Sequence, residues 1–385
     1  MKNTQPIAIY FHWPFCLAKC PYCDFNVHIR DTLDQDAWRA GYIKSLQYYA
    51  KLMPGREVIS VFFGGGTPSL MAPETVRAML DEIKSHWPVA SNVEITLEAN
   101  PTSVETKKLE AFQKAGVNRV SLGVQALNDA DLKFLGRKHD AAQAIAAIET
   151  AKKIFDRFSF DLIYARPNQS LENWREELKR ALEYSSGHMS LYQLTIERST
   201  PFFFDHVQGK FAMPDDVKGA EFYHLTQDIM GAAGMPAYEV SNHALAGHES
   251  RHNLVYWHYG DYIGIGPGAH GRLTIDGVKN ATREHSAPDI WLEKINQNGF
   301  AHHPFEPLSD EARFSEALMM GLRLSEGAPL ERLQQEGSCD IFDVIDAKKL
   351  DEAIRQGWIE NDGKILKATR EGFLRLNALV PYILR

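Results

Sequence analysis

Apolar positions along the chain switch between two periods. Short runs rich in β-branched and aromatic residues alternate with longer runs whose apolar residues return every three or four positions. "IAIYFHW", "VISVFF", "VEITLEANP", "NRVSLGVQ", "FSFDLIYA" and "MSLYQLTIE" read as six strands. "DAWRAGYIKSLQYYAKL" reads as a helix with Trp38, Tyr42, Leu46 and Tyr49 on one face. "PETVRAMLDEIKSHW" carries Pro73 near its first turn. Thr102 and Glu105 fit a capping box for "VETKKLEAFQKAG", closed by Gly116. "DADLKFLGRK", "AAQAIAAIETAKKIF", "LENWREELKRALEY" and "DDVKGAEFYHLTQDIMGAAG" complete the helices. Strands that alternate with helices predict a parallel sheet with right-handed crossovers. Roughly 240 residues of such units predict an α/β fold with a partial or full β/α barrel, against a doubly wound sheet as competitor.

The alternation stops near residue 290. Beyond it, "SDEARFSEALMMGLRLSEGAPLERLQQ" and "KKLDEAIRQGWIE" read as helices. Two short strands about Asn361, Asp362 and Gly363 and a last helix follow. The pattern predicts two parts, a barrel with a histidine-rich extension over residues 1–290 and a small winged-helix-like α+β unit over 291–385. The second part has no basic stripe, so a packing or lid role is expected rather than nucleic-acid binding.

In β/α folds, functional groups collect beyond the carboxyl ends of the strands. All six predicted strands end in polar or reactive residues: a cysteine loop after the first, Gly64, Gly65, Gly66 and Thr67 after the second, then Glu98 and Asn100, Gln125, Asp161, and finally Thr195 and Glu197. The cysteine loop is the sharpest signal. Three of four cysteines, Cys16, Cys20 and Cys23, fall within eight positions, whereas Cys339 stands alone in the C-terminal part as an ordinary semi-buried cysteine. Three thiolates in the pattern C-x3-C-x2-C suit a four-iron cube with one iron left open. Zinc is the alternative and needs a fourth ligand, for which His12 or His28 is at hand.

Composition narrows the class. The 385 residues carry 42 Lys and Arg against 50 Asp and Glu, a net charge of -8. That balance speaks against non-specific nucleic-acid binding. No run of 18 apolar residues and no leader-like start is visible, so a cytoplasmic protein is expected, reaching a membrane only through a partner. A reducing compartment favours metal or catalysis over disulfides for clustered cysteines.

Five of the 15 histidines, His243, His248, His252, His258 and His270, lie within one short block. Imidazole is a common ligand of heme iron, and Tyr256 and Trp257 beside it offer flat apolar faces. From the block alone, a loop of buried, hydrogen-bonded histidines is the plainer reading. "GIGPGAHG" is glycine-rich and reads also as an anion nest, but no Walker-type Lys follows it.

With Tyr22 ahead of the last Cys, the cysteine motif resembles the radical S-adenosylmethionine superfamily. "YFHWPFCLAKCPYCDFN", "GGGTPS", "LEANP", "SLGVQAL", "LGRKH", "DLIYARPNQS", "YQLTIE" and "RHNLVYWHYGDYIGIGPGAHG" together resemble its group related to oxygen-independent coproporphyrinogen III oxidase. The H-N-x-x-Y-W block resembles the heme-chaperone branch of that group. The oxidase proper has a longer N-terminal extension and a further cysteine just after the triplet. Asp24 and Phe25 stand there instead, which favours the chaperone branch.

The resemblance implies a 4Fe–4S cluster on Cys16, Cys20 and Cys23. It implies S-adenosylmethionine flanked by Tyr10 and Tyr22, with its amino end on Gly64, Gly65, Gly66 and Thr67, and further contacts from Glu98, Gln125, Arg137 and Asp161. It implies heme against His252, Asn253, Tyr256 and Trp257, with His252 as candidate iron ligand. Implied partners are heme, acceptor hemoproteins such as respiratory enzymes, an electron donor such as a flavodoxin or ferredoxin, and a second copy of the chain. Departures stand at Ala126, where Ser is usual, and at Ala165-Arg166-Pro167-Asn168-Gln169, where Gly-x-Pro-x-Gln is usual. Arg166 is expected to bring bulk and charge near the site. Two functions compete: a heme chaperone, and a radical enzyme that oxidatively decarboxylates porphyrinogen propionates. A third reading, an iron–sulfur regulator or zinc protein, lacks the basic patch that DNA binding needs.

Overall fold

The computed structural model describes residues 5–30 and 32–385. Six parallel strands form as predicted, β1 (Ile7–Trp13), β2 (Val58–Gly65), β3 (Val89–Ala99), β4 (Arg119–Gln125), β5 (Arg157–Tyr164) and β6 (His188–Gln193). β1 is buried at six of its seven positions, as a strand must be when both sheet faces are covered. The helix Gln35–Leu52 covers one face. Asp34 caps it by accepting from the Asp36 and Ala37 amides, and Trp38, Tyr42, Leu46 and Tyr49 are all buried. Trp38 stacks on Trp291 of the helix Pro288–Asn298 with ring centroids 5.7 Å apart. Each such aromatic contributes about 2–3 kcal/mol by burial.

The sheet is wider than the sequence pattern suggested. On the far side of β1 lies β8 (Asp261–Ile265), parallel to it, followed by the antiparallel strands β9 (His270–Ile275), β10 (Val278–Arg283) and β11 (Glu306–Pro307). At the other edge the short β7 (Asn242–Ala244) runs antiparallel to β6. The order is β11-β10-β9-β8-β1-β2-β3-β4-β5-β6-β7, so the sheet curls without closing and the barrel is partial.

"GIGPGAHG" is therefore strand and turn rather than an anion nest. A Cβ on Gly264 would stand 2.0 Å from the His270 carbonyl oxygen, and one on Gly266 would stand 2.2 Å from that of His12. Those glycines are there because neighbouring backbone passes too close for a side chain.

The predicted helix after Thr102 breaks in two, Ser103–Thr106 and Leu109–Ala115. Thr102 caps the Glu105 amide, but the Glu105 carboxylate turns inward to accept from the Asn100 amide (2.8 Å) and from the Ser69 hydroxyl, so the box is only half formed.

The C-terminal helices and a three-stranded sheet enclose a second core that includes Leu318, Leu322, Leu333, Leu350, Leu366, Leu379 and Ile383. Its sheet joins β12 (Ala328–Pro329), β13 (Ile359–Asn361) and β14 (Ile365–Ala368). Asp362 and Gly363 make the hairpin turn, with Gly363 at φ 83°. Cys339 is half-buried at the edge of this core. The helix Pro288–Asn298 spans the expected division at 290 and packs Trp291 and Ile295 into the larger core. No helix among the described residues is long and apolar enough to cross a membrane.

Candidate functional site

A cavity of about 170 Å³ opens at the carboxyl ends of β1 to β5. Its wall brings together Cys16, Cys20, Tyr22, Cys23, Gly65, Gly66, Thr67, Glu98, Asn100, Gln125, Arg137 and Asp161. Two of the thiols are tied to it by a polar arc. Arg137 donates one Nη to Cys20 Sγ (3.3 Å) and the other to Asn100 Oδ1 (2.6 Å) and the Gly123 carbonyl (2.7 Å). Asn100 Nδ2 donates to Thr67 Oγ1, which donates to Cys16 Sγ at 3.3 Å. Asn100 thus links the two sulfurs. The sequence marks it only as one polar residue at a strand end.

The three glycines have a different first purpose from the one expected. Gly66 N–H donates to the Trp13 carbonyl (2.7 Å) and Thr67 N–H to that of Phe15 (2.8 Å), which fixes the root of the cysteine loop on β2. A Cβ on Gly66 would lie 2.7 Å from the Phe15 oxygen, and one on Gly65, at φ 105°, would lie 2.6 Å from the His12 ring. The cradle is shaped by the chain's own loop, and its open side faces the cavity.

Two carboxyls in the wall lack an ion-pair partner within it. Burial, reinforced by Asp161 nearby, pushes Glu98 up to about 8. Burial raises Asp161 to about 6, against hydrogen bonds from Ser190 and Ser121 and the more distant charges of Arg119 and Arg137. Gln125 adopts φ 75°, and its Oε1 is buried without a partner among the described residues, as is Arg137 Nε. Acids held out of water and orphaned amide and guanidinium atoms fit a ligand that brings ammonium, hydroxyl and carboxylate groups together. S-adenosylmethionine has that set. Three thiols beside them fit a cluster that takes one thiolate per iron. Burial raises the Cys16 thiol to about 11, so loading iron must displace its proton.

Some expected residues lie elsewhere. Tyr10 does not line this cavity. Its hydroxyl meets His12 Nδ1 at 3.0 Å, and its ring faces a second cavity. Gly64 marks the partition, since a Cβ there would stand 3.0 Å from the Tyr10 ring and 3.2 Å from Glu98 Oε2. Thr195 and Glu197 lie beyond the end of β6 and are exposed. Arg166 is buried away from the cavity, paired with Glu177 and with Asp131 at 2.9 Å. Glu177 also accepts from the Leu127 amide at 2.7 Å, so this cluster staples the loops after β4 and β5. Ala165 (φ 55°) and Asn168 (φ 62°) take the left-handed backbone that a glycine would adopt more readily. Ala126 is fully buried among Leu132, Leu135 and Phe202, where a hydroxyl would have no apolar role.

The histidine block disperses. His243 sits in β7 with Nε2 on Gln227, and His258 pairs with Glu326 at 2.6 Å. Among the described residues no three His, Cys, Asp or Glu side chains are set to hold a single metal ion. His12, one candidate for a fourth ligand, has Nε2 on the Asn26 carbonyl and Nδ1 on Tyr10. H-N-x-x-Y-W forms the helix Arg251–Trp257, capped by Ser250. His252 is only 1% exposed, its ring stacked on Phe62 at 4.9 Å. Nδ1 meets Ser60 Oγ at 2.9 Å and Nε2 meets the Tyr256 hydroxyl at 2.7 Å, so neither nitrogen is open to an iron in this arrangement. Asn253 is engaged with Tyr238. Tyr256 and Trp257 line the second cavity, of about 420 Å³, with Tyr10, His12, Tyr259, Tyr262, His270, Arg272, Glu316 and Met320. Trp257 Nε1 is buried without a partner among the described residues. The two cavities lie back to back, with the His12 ring of the second packed on Gly65 of the first.

Residues 10–181 match the Radical SAM superfamily, and residues 308–375 match the HemN C-terminal domain. A bovine protein named Radical S-adenosyl methionine domain-containing protein 1, mitochondrial, is 39% identical over 99% of this chain and 88% of its own length. The heme chaperone HemW of Escherichia coli strain K12 is 37% identical over 100% of both chains. That of Haemophilus influenzae is 35% identical over 100% of this chain and 99% of its own. Among solved structures, the E. coli coproporphyrinogen III oxidase HemN, titled a Radical SAM enzyme, superposes with a TM-score of 0.82. It covers 98% of this chain and 90% of its own at 21% identity, a likeness of fold.

Proposed function

We infer the function from one premise: the chain belongs to the radical S-adenosylmethionine superfamily and, within it, to the heme chaperone HemW family. It is a heme chaperone that holds heme and passes it to acceptor hemoproteins such as respiratory enzymes. Cys16, Cys20 and Cys23 would hold a 4Fe–4S cluster. Tyr22, Gly65, Gly66, Thr67, Glu98, Gln125, Arg137 and Asp161 would hold S-adenosylmethionine, with Tyr10 and Gly64 closing the wall behind it. The cluster supplies one-electron chemistry when loaded from a donor such as a flavodoxin or ferredoxin. Arg137 keeps a positive charge against Cys20, and the Gly66 and Thr67 amides keep the cysteine loop in place.

The observation that carries the heme reading is the second cavity. Tyr256, Trp257 and Tyr262 give it flat aromatic walls, and a volume of about 420 Å³ lies in the range of small-molecule sites. It adjoins the cysteine cavity across Tyr10 and Gly64, so cargo and cofactor sit within reach of each other. Glu316 and Met320 bring the C-terminal unit to its rim as a lid. Cytoplasmic placement and pairing of two copies belong to the same proposal. The bovine and mouse relatives are named mitochondrial.

Anaerobic reconstitution, followed by heme titration and a coproporphyrinogen III assay on one sample, tests this reading. Saturable binding near one heme per chain, with no protoporphyrinogen formed, supports it. Protoporphyrinogen formation that Cys20→Ala abolishes would replace it with the oxidase reading.

A further inference from the structure

Three histidines stand at or behind the aromatic cavity, and they differ in what their nitrogens can do. His12 is buried and has one nitrogen on Tyr10 and the other on the Asn26 carbonyl. His252 is buried, with one nitrogen on Ser60 and the other on Tyr256. His12 donates from Nε2 to the Asn26 carbonyl and accepts at Nδ1 from the Tyr10 hydroxyl, and His252, between two hydroxyls, donates at one nitrogen and accepts at the other in either tautomer, so both lone pair and proton are spent on each ring. His270 is exposed at the cavity mouth, and among the described residues its imidazole makes no hydrogen bond. The sheet register turns it toward the same space. Tyr10 pairs with Gly264, and Tyr262 pairs with Arg272. His270 lies two residues from Arg272 and therefore shares the face of Tyr10, Tyr262 and Arg272.

We propose that His270 is the residue that ligates the iron of a bound heme, and that His252 is a positioning residue that holds Tyr256 against the macrocycle. The assignment rests on the heme reading above and refines it. The other oxygen and nitrogen groups of the cavity fit ligation poorly. Burial raises the Tyr256 and Tyr262 phenols, which opposes a tyrosinate ligand, and the Tyr256 hydroxyl is already taken by His252. Arg272 is held in two hydrogen bonds to Glu316, at 2.9 and 2.8 Å. Burial and the charges of Arg272 and Arg283 lower the His270 pKa, so the imidazole is neutral at neutral pH, the form that binds iron. A ligand at the exposed mouth suits a carrier, because an acceptor's own residue can reach the iron edge there. A ligand sealed behind Tyr256 could release heme only after the helix Arg251–Trp257 shifted.

The test uses the full chain titrated with hemin, read by the Soret band and by electron paramagnetic resonance. His270→Ala is expected to lose the imidazole-ligated spectrum and at least tenfold in affinity. Millimolar imidazole is expected to restore the spectrum in His270→Gly. His252→Ala is expected to bind more weakly while keeping the wild-type ligand signature. Rescue by imidazole in His252→Gly but not in His270→Gly, or a wild-type spectrum in His270→Ala, would overturn the assignment. So would failure of rescue at both positions. Absence of saturable binding by the wild-type chain would overturn the heme reading itself, and this assignment with it.

Discussion

Glu98→Gln isolates the electrostatic strain of the cysteine cavity. Burial holds the Glu98 carboxyl at about 8 against an ordinary 4.5. Between those values the folded chain keeps a proton that the unfolded chain gives up. Its contribution to stability is therefore full below pH 4.5 and is lost as pH rises through 8. The slope in that window is ~1.4 kcal/mol per pH unit for one proton. From about pH 5 to about pH 7 the wild type then loses about 2–3 kcal/mol through this group alone. Glutamine has no proton to lose, and its carbonyl can still accept the Gly65 amide that Glu98 accepts at 3.2 Å. Asp161 titrates in both proteins and largely cancels in the difference. Urea unfolding of metal-free, reduced protein at about pH 5, 6 and 7 reads the effect. The variant's advantage over wild type is expected to grow by about 2–3 kcal/mol over that range. Parallel stability curves for the two proteins would refute the reasoning. The same substitution should weaken S-adenosylmethionine binding, since the acid's strain is relieved only by a ligand that brings a cation or a hydroxyl to it.

Gly66→Ala drives a methyl against two backbone oxygens, 2.7 Å from that of Phe15 and 2.9 Å from that of Trp13. Backbone cannot yield as a side-chain tip does, so unfolding experiments should show a loss of about 1–3 kcal/mol, and iron and sulfide per chain should fall after reconstitution. Arg137→Lys keeps the charge but gives up the fork that reaches Asn100 and Gly123 together. Equilibrium binding of S-adenosylmethionine should weaken by about tenfold or more, from a loss of about 1.5–3 kcal/mol. Arg166→Met leaves Glu177 buried without its cation. Stability should drop by about 3–5 kcal/mol while S-adenosylmethionine affinity in the surviving folded protein stays within about twofold, because Arg166 lies outside the cavity.

The six parallel strands and the cysteine cavity were legible because each strand is a dense apolar run that ends in a polar or reactive residue. Cys16, Glu98, Gln125 and Asp161 could be assigned to one end of the sheet from order alone. The strands beyond β1 were not legible. β8 contains Gly264, whose backbone must touch His270, and that glycine broke the apolar run that would have announced a strand. The role of Asn100 was hidden because it depends on an arc of hydrogen bonds through Arg137 and Thr67, which are distant in sequence. Tyr10 sits on a strand whose neighbours do face the cysteines, yet its ring packs near Gly64 and lines the other cavity. Arg166 looked like an intrusion because its two acids, Asp131 and Glu177, come from two separate helices, Asp129–Phe134 and Leu171–Tyr184, whose proximity no local pattern encodes. The histidine block showed the limit of composition. Its five members cluster in sequence, but the fold sends them to strand, helix, surface and cavity mouth.

Transfer separates a carrier from a protein that merely binds heme. Reconstituted protein loaded with one equivalent of heme, mixed with a heme-depleted respiratory hemoprotein, should restore that acceptor's activity faster than free heme at the same concentration, as the Soret signal of the donor decays in step. Restoration no faster than with free heme, or a donor signal that persists while the acceptor stays inactive, would contradict the chaperone function.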